Sequence, residues 1–112
     1  MEFFQKDDAF YIILEYCEGG TLRQYLGTKK NKRLGEWEVK KIIKELLNGY
    51  KELRDINITH RDLKLDNLLL TSSHNYTLKI ADFGIAKQEK LATKLQTSVG
   101  TVYYMAPEIL KQ

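Results

Sequence analysis

The stretch "THRDLKLDN", Thr59 to Asn67, sets two acids, two bases, a histidine and an amide among leucines, and "DFG" follows at Asp82 to Gly84. Asp62, Asn67 and Asp82 supply hard oxygens. Magnesium is held by one or two carboxylates together with substrate phosphate oxygens and water, so these three side chains suit such an ion. Asp62 and Asn67 are five residues apart, a reach of at most roughly 17 Å when extended. A loop between them can therefore aim both side chains into one pocket, and Asp82 closes a strand expected to return alongside. Lys64 lies two residues after Asp62, and in an extended loop such positions point to the same side. The pair suits transfer of an anionic group. The carboxylate accepts a proton from an incoming hydroxyl, and the ammonium neutralises phosphoryl oxygens. Leu63 and Leu65 would turn away and anchor the loop, so alternating charge and apolar bulk holds polar groups over an apolar floor.

Several elements must position that loop. "AFYIILEYC", residues 9–17, is a compact aromatic and β-branched run that suits a half-buried or buried strand. Gly19 and Gly20 break it, and a short helix is expected from Thr21 to Leu26. "KKNKR" reads as a solvated loop, with a basic docking patch as the alternative. From Glu36 to about Arg54, Val39, Ile42, Ile43, Leu46, Leu47, Tyr50 and Leu53 recur at threes and fours, the mark of an amphipathic helix. "NLLLT" and "YTLKIAD" read as two short strands joined by a polar turn, Ser72 to Asn75, with His74 exposed. Gln88 to Ser98 is polar without a period and is expected to be a long exposed loop. Pro107 suits the first turn of a final helix, where its missing N–H costs least.

Composition narrows the class. The chain has 112 residues, 43% of them hydrophobic, which suits one globular domain and not a disordered segment. Its 18 basic and 15 acidic side chains are interspersed, giving a net charge of +3. Nothing resembles the one-sided basic field of a nucleic-acid binder. Cys17 is alone, which rules out an internal disulfide and fits a reducing compartment. No apolar run approaches the length of a signal core or a membrane span. A soluble intracellular protein, cytoplasmic by default, is expected. The sequence leaves the oligomeric state unknown.

"HRDLKLDN" at 60–67, "DFG" at 82–84 and "APE" at 106–108 resemble the catalytic loop, metal loop and activation-segment end of the protein kinases. "FYIILEYCEGGTL" is similar to the last small-lobe strand and the hinge, so the resemblance covers nearly the whole chain. It implies an α+β, partial protein-kinase-like fold: residues 1–14 ending the small lobe, 15–20 forming the hinge, and 21–112 opening the helical large lobe. By the same resemblance Asp62 would be the catalytic base, Lys64 the phosphate-neutralising lysine, and Asn67 and Asp82 the magnesium ligands. The backbones of Glu15 and Cys17 would bind the adenine edge of ATP, Leu14 would sit at the gatekeeper position, and Leu69 would form the adenine floor. Leu14, Cys17 and Leu69 serve equally well as ordinary core residues. Gly84 is expected to use glycine's backbone freedom.

Lys64 and "GTVYYMAPE" resemble the serine/threonine branch, which implies a protein substrate offering a serine or threonine hydroxyl. Thr101 would then hydrogen-bond near Asp62 and Lys64. Arg61 and Lys87 could form a basic pocket for a phosphate carried by the intervening loop, with Thr97 the first choice of phosphosite and Ser98 and Thr93 behind it. Asp66 hints at basic residues near the target hydroxyl, against the simpler reading of a solvated carboxylate. The chain departs from the family pattern as well. It begins after the places of the glycine-rich phosphate loop, the strand lysine and the helix glutamate, and it ends before the arginine expected to pair with Glu108. Such a piece is expected to expose sheet edges and the apolar back of its long helix, and to be inactive alone. The alternative is a short, non-catalytic kinase-like binding or regulatory module, whose sign would be loss of the catalytic residues.

Overall fold

The computed structural model describes residues 2–84, 86–88 and 101–111. Its dominant element is α2 (Glu36–Asp55), formed where the apolar residues recur at helical spacing. Gly35 offers no side chain as a cap, so Glu38 reaches back and its Oε2 accepts from the Gly35 amide at 3.1 Å. Glu36 and Glu38 in the first turn and Arg54 in the last complement the helix dipole. The helix stops at Ile56, and Asn57 follows in the left-handed region (φ 56°) with its amide bonded to the Arg54 carbonyl.

One side of α2 is covered and the other is not. Ile42 and Leu53 are buried, Leu46 packs against the core, and Gly49 lies so close to Ile80 that a Cβ there would meet its Cδ1 at 3.1 Å. The covering layer is the antiparallel hairpin of β4 (Leu68–Leu70) and β5 (Leu78–Ile80), in the register Leu68↔Ile80, Leu69↔Lys79 and Leu70↔Leu78. The core gathers where these elements meet: Leu22, Ile42, Leu68, Leu70, Tyr76 and Leu78, ringed by Tyr25, Leu34, Leu46, Leu63, Leu65 and Ile80. Leu70 is fully buried; burying a leucine contributes about 1.5–3 kcal/mol.

Helix α1 (Leu22–Gly27) starts at a capping box, with the Thr21 hydroxyl accepting from the Gln24 amide and the Gln24 side chain accepting from the Thr21 amide. It is tied to α2 by Glu38, whose Oε1 accepts from the Tyr25 hydroxyl at 2.8 Å and from Lys29 Nζ at 2.6 Å. Lys29 first, then the Gly35 amide and Tyr25, hold the Glu38 carboxyl down to about 2. "KKNKR" carries a single 3-10 turn, Lys30–Lys32, with Asn31 and Lys32 at positive φ. The segment before α1 is locked onto the hairpin: Gly19 N donates to the Leu70 carbonyl and Leu70 N to the Gly20 carbonyl, both at 2.9 Å. Any Cβ at Gly19 would come within 2.4 Å of the Ser72 carbonyl oxygen, so only glycine permits this approach.

The remaining elements are short. β3 (Ile58–Thr59) pairs antiparallel with β6 (Lys87–Gln88), and α3 (Pro107–Leu110) opens at Pro107 as its sequence position implies. The strand expected over residues 9–17 is shorter than its apolar run: β2 (Ala9–Ile13) ends four residues early, and 14–17 are irregular. Its partner β1 (Glu2–Lys6) turns back through Asp7 (φ 52°), and "EFFQK" is too short and too mixed in polarity to announce itself as a strand. Nor is β2 buried. Both strands are exposed along their length, and their aromatic rings stack across the pair, Phe3 on Phe10 and Phe4 on Tyr11. Gln88 belongs to β6, and the rest of the expected loop to Ser98 lies outside the described residues.

Among the described residues, apolar surface faces solvent on the β1–β2 hairpin and in the stripe of Val39, Ile43, Leu47 and Tyr50 along α2. Exposed patches of this kind drive association. Expressed alone, the 112 residues should bind a hydrophobic dye strongly, self-associate as concentration rises, and melt over a broad range. A soluble monomer with a sharp cooperative transition and no dye binding would contradict that expectation.

Candidate functional site

The loop after β3 alternates as its sequence does. Leu63 and Leu65 pack against the core, while Asp62 and Lys64 project to the same side and pair, Lys64 Nζ donating to Asp62 Oδ2 at 2.6 Å. Lys64 is fully extended (φ −153°, ψ 166°), the geometry that puts positions two apart on one side. A 3-10 turn over Leu65–Asn67 then returns the chain, with Asn67 N bonded to the Lys64 carbonyl at 3.0 Å. That turn buries Asn67 and aims its amide back at Asp62. Asn67 Nδ2 donates to the Asp62 carbonyl at 2.9 Å and to Asp62 Oδ2 at 3.1 Å.

The fourth member comes from far along the chain. Thr101 donates to Asp62 Oδ1 twice, from its amide at 2.9 Å and its hydroxyl at 2.6 Å, and the same hydroxyl accepts from Lys64 Nζ at 3.0 Å. Both oxygens of Asp62 are thereby engaged. Hydrogen bonds to a charged form stabilise it, and Lys64 first, then Thr101, hold the Asp62 carboxyl down to about 2. Lys64 is raised in return, by Asp62 first, with Asp66 and Asp82 adding to the field.

The loop is fastened from behind by His60, which is buried. Its Nδ1 accepts from the Asp62 amide at 3.3 Å, so Nε2 carries the hydrogen that bonds to the Ala81 carbonyl at 2.9 Å. The Ala81 amide donates to the Asn67 carbonyl at 2.9 Å, and the Phe83 ring lies 4.9 Å from the His60 imidazole. These contacts bring Asp82 to the loop that carries Asp62 and Asn67. Asp82 itself is exposed and takes a positive φ of 63°, with its Oδ1 accepting from the Gly84 amide at 3.3 Å. The positive φ at this turn is on Asp82, and Gly84 is not among the residues with positive φ. Arg61 also stands at positive φ (68°); strained backbone of this kind persists only where its surroundings fix it.

The other site residues are placed as follows. Leu69 is half-buried in β4, bridged to Thr21. Glu15 pairs with Lys79 of β5 at 3.1 Å, and half-buried Cys17 accepts from the Gly20 amide at 3.1 Å, so the 15–20 segment runs beside the strand pair that carries Leu69. Leu14 is 67% exposed and packs on nothing in the core. Thr93, Thr97 and Ser98 lie outside the described residues. Two features escaped the sequence: the fastening role of His60, and a contact of Arg23 with Asp66 and Tyr104 across 43 and 81 residues. Nothing local marks Arg23, since its partners meet it only in the folded chain.

No helix among the described residues is long and apolar enough to cross a membrane. The sequence matches the family model for the protein kinase domain over residues 1–112. Among curated proteins it is 41% identical to the serine/threonine-protein kinase cds1 of Schizosaccharomyces pombe over 111 residues, 98% of this chain and 23% of that protein. It is 38% identical to the serine/threonine-protein kinase KIC1 of Saccharomyces cerevisiae, covering 97% of this chain and 10% of that one. With the serine/threonine-protein kinase atg1 of Dictyostelium discoideum it shares 46% identity, over 95% of this chain and 16% of the relative. The chain spans less than a quarter of the length of each. The match over residues 1–112 places this chain in the protein kinase domain family.

Proposed function

We propose that this chain is the central part of an ATP-dependent protein serine/threonine kinase, passing a phosphoryl group from Mg-ATP to a serine or threonine hydroxyl of a protein. The observation that carries the reading is the Asp62 carboxylate held by Lys64, Asn67 and Thr101. The relatives' names, all serine/threonine kinases, support it. In this reading residues 1–14 end the small lobe, 15–20 form the hinge, and 21–112 open the large lobe.

Asp62 is the base. As the acceptor oxygen bonds to phosphorus and the bond to the departing ADP oxygen breaks, the hydroxyl proton passes to an Asp62 oxygen. A carboxyl held down to about 2 is a weak base, so the proton moves late, as a loose transition state with little early demand for deprotonation allows. The acceptor hydroxyl must share Oδ1 with Thr101 or displace it. Lys64 stays cationic and neutralises charge on the phosphoryl oxygens.

Asn67 and Asp82 are the residues to hold magnesium. Asn67 commits its Nδ2 to Asp62, which leaves Oδ1 for a cation, and Asp82 is an exposed carboxylate on the adjoining loop. Among the described residues no group of three or more His, Cys, Asp or Glu side chains could hold a metal alone. That donor set fits magnesium, which takes much of its shell from phosphate and water. Once bound, the ion would neutralise phosphate charge and fix its geometry. The backbones of Glu15 and Cys17 would meet the adenine edge, with Leu69 as its floor and Leu14 at the gatekeeper position.

In the full product of the gene, Asp62→Asn should lower kcat by about 10²–10⁴-fold while calorimetry finds nucleotide affinity within a few-fold of the parent. Unchanged turnover would remove Asp62 from the base role, and a parent without any phosphoryl transfer would favour a regulatory module instead. A second check follows from the depressed Asp62 carboxyl. Its folded value lies below its ordinary one, so the ionised pairing is complete above about 4 and is lost only as pH falls toward 2. Carboxyl carbon NMR should find Asp62 silent from neutrality down to about pH 4, and in Lys64→Met titrating closer to the ordinary value of about 4. Identical titration in the two proteins would mean that Lys64 does not set the charge of Asp62.

A further inference from the structure

Beside the Asp62 cluster, three distant segments meet on the surface. Arg23, in the first turn of α1, donates from Nε to Asp66 Oδ1 at 2.6 Å and from Nη2 to the Tyr104 hydroxyl at 3.1 Å. Asp66 stands in the catalytic loop between Leu65 and Asn67, two residues after Lys64. Tyr104 closes the 3-10 turn Val102–Tyr104, and its amide bonds to the carbonyl of Thr101 at 2.9 Å. A polypeptide whose hydroxyl reaches Asp62 must therefore pass close to both.

Asp66 is the acid that a peptide would meet next to the acceptor position. Its side chain remains 42% exposed, and bare it would favour a substrate with a basic residue nearby. It is not bare. The planar guanidinium covers one carboxylate oxygen from Nε while reaching Tyr104 from Nη2, a fixed two-nitrogen fork that the single nitrogen of lysine lacks.

We propose that Arg23 is a specificity-determining residue that masks Asp66, cancelling its charge so that the site does not select basic residues beside the acceptor hydroxyl. This rests on the kinase reading above and refines its substrate class. The pair is too exposed to matter much for folding, since such ion pairs are weak in water. Its consequence is a choice between substrates, which depends on the difference in charge that each one meets.

The test is a peptide series on the full gene product, moving one arginine or one glutamine through the positions flanking an acceptor serine. The readout is the ratio of kcat/KM between the arginine and glutamine peptides. The parent should show a ratio near one at every position. Arg23→Ala should raise it about three- to five-fold at one or two positions, chiefly through KM, as expected when one exposed ion pair is exchanged for another. Arg23→Lys should fall between, and Arg23→Ala combined with Asp66→Asn should return the ratio to the parent's. A loss of stability alone would scale both peptides together and leave the ratio still. An unchanged ratio in Arg23→Ala, or a raised ratio that survives Asp66→Asn, overturns the mask and leaves the kinase reading standing. Absence of transfer to any peptide by the parent overturns the kinase reading and the mask with it.

Discussion

The structure turns on one carboxylate. Asp62 accepts from Lys64 and Asn67 on one oxygen and from the amide and hydroxyl of Thr101 on the other, so a half-buried charge has every lone-pair direction spoken for. A charge left half satisfied in that position would be costly, because low local dielectric strengthens good pairings and penalises missing ones alike. The same bonds tie residue 101 to residue 62 across a stretch of 39 residues. The placement of the later segment and the hydrogen bonding of the earlier loop are therefore coupled. A loop that holds its acid ionised and its lysine cationic is preorganised for moving an anionic group.

Polar order of this kind needs an apolar support. Leu63 and Leu65 pin the loop to a core whose fully buried residue is Leu70, and the β4–β5 hairpin supplies Leu68, Leu70 and Leu78 to that core. His60 joins the two layers by bonding the amide of Asp62 and the carbonyl of Ala81. Two residues at this junction, Arg61 and Asp82, take positive φ. Arg61 is half-buried there and Asp82 is exposed. Away from the junction the chain is loosely covered, and the β1–β2 hairpin and the outer stripe of α2 face water.

Where the physics is local, the sequence was legible. Helix α2, the hairpin of β4 and β5, the Pro107 start of α3 and the pairing of Asp62 with Lys64 all follow from period, turn residues or spacing of a few positions. Thr101 beside Asp62 was legible only through resemblance, because no local rule links positions so far apart. The strand β1 was missed, its five residues having no clear alternation, and β2 proved shorter and more exposed than its apolar run implies. The positive φ of Asp82 carried no sequence signal, since aspartate is only one of several residue types that visit that region. Arg23 gave no signal at all, since its meaning lies in two partners brought to it by the fold.

A double-mutant cycle between Asp62 and Thr101 addresses the central claim most directly. Asp62→Asn, Thr101→Val and their combination would be compared by kcat in the full gene product. If the Thr101 hydroxyl acts through the Asp62 carboxylate, each change alone slows turnover and the combination is no slower than Asp62→Asn, within about a factor of two. Losses that multiply would mean that the two residues act independently, and that the carboxylate is not the hub on which the site depends.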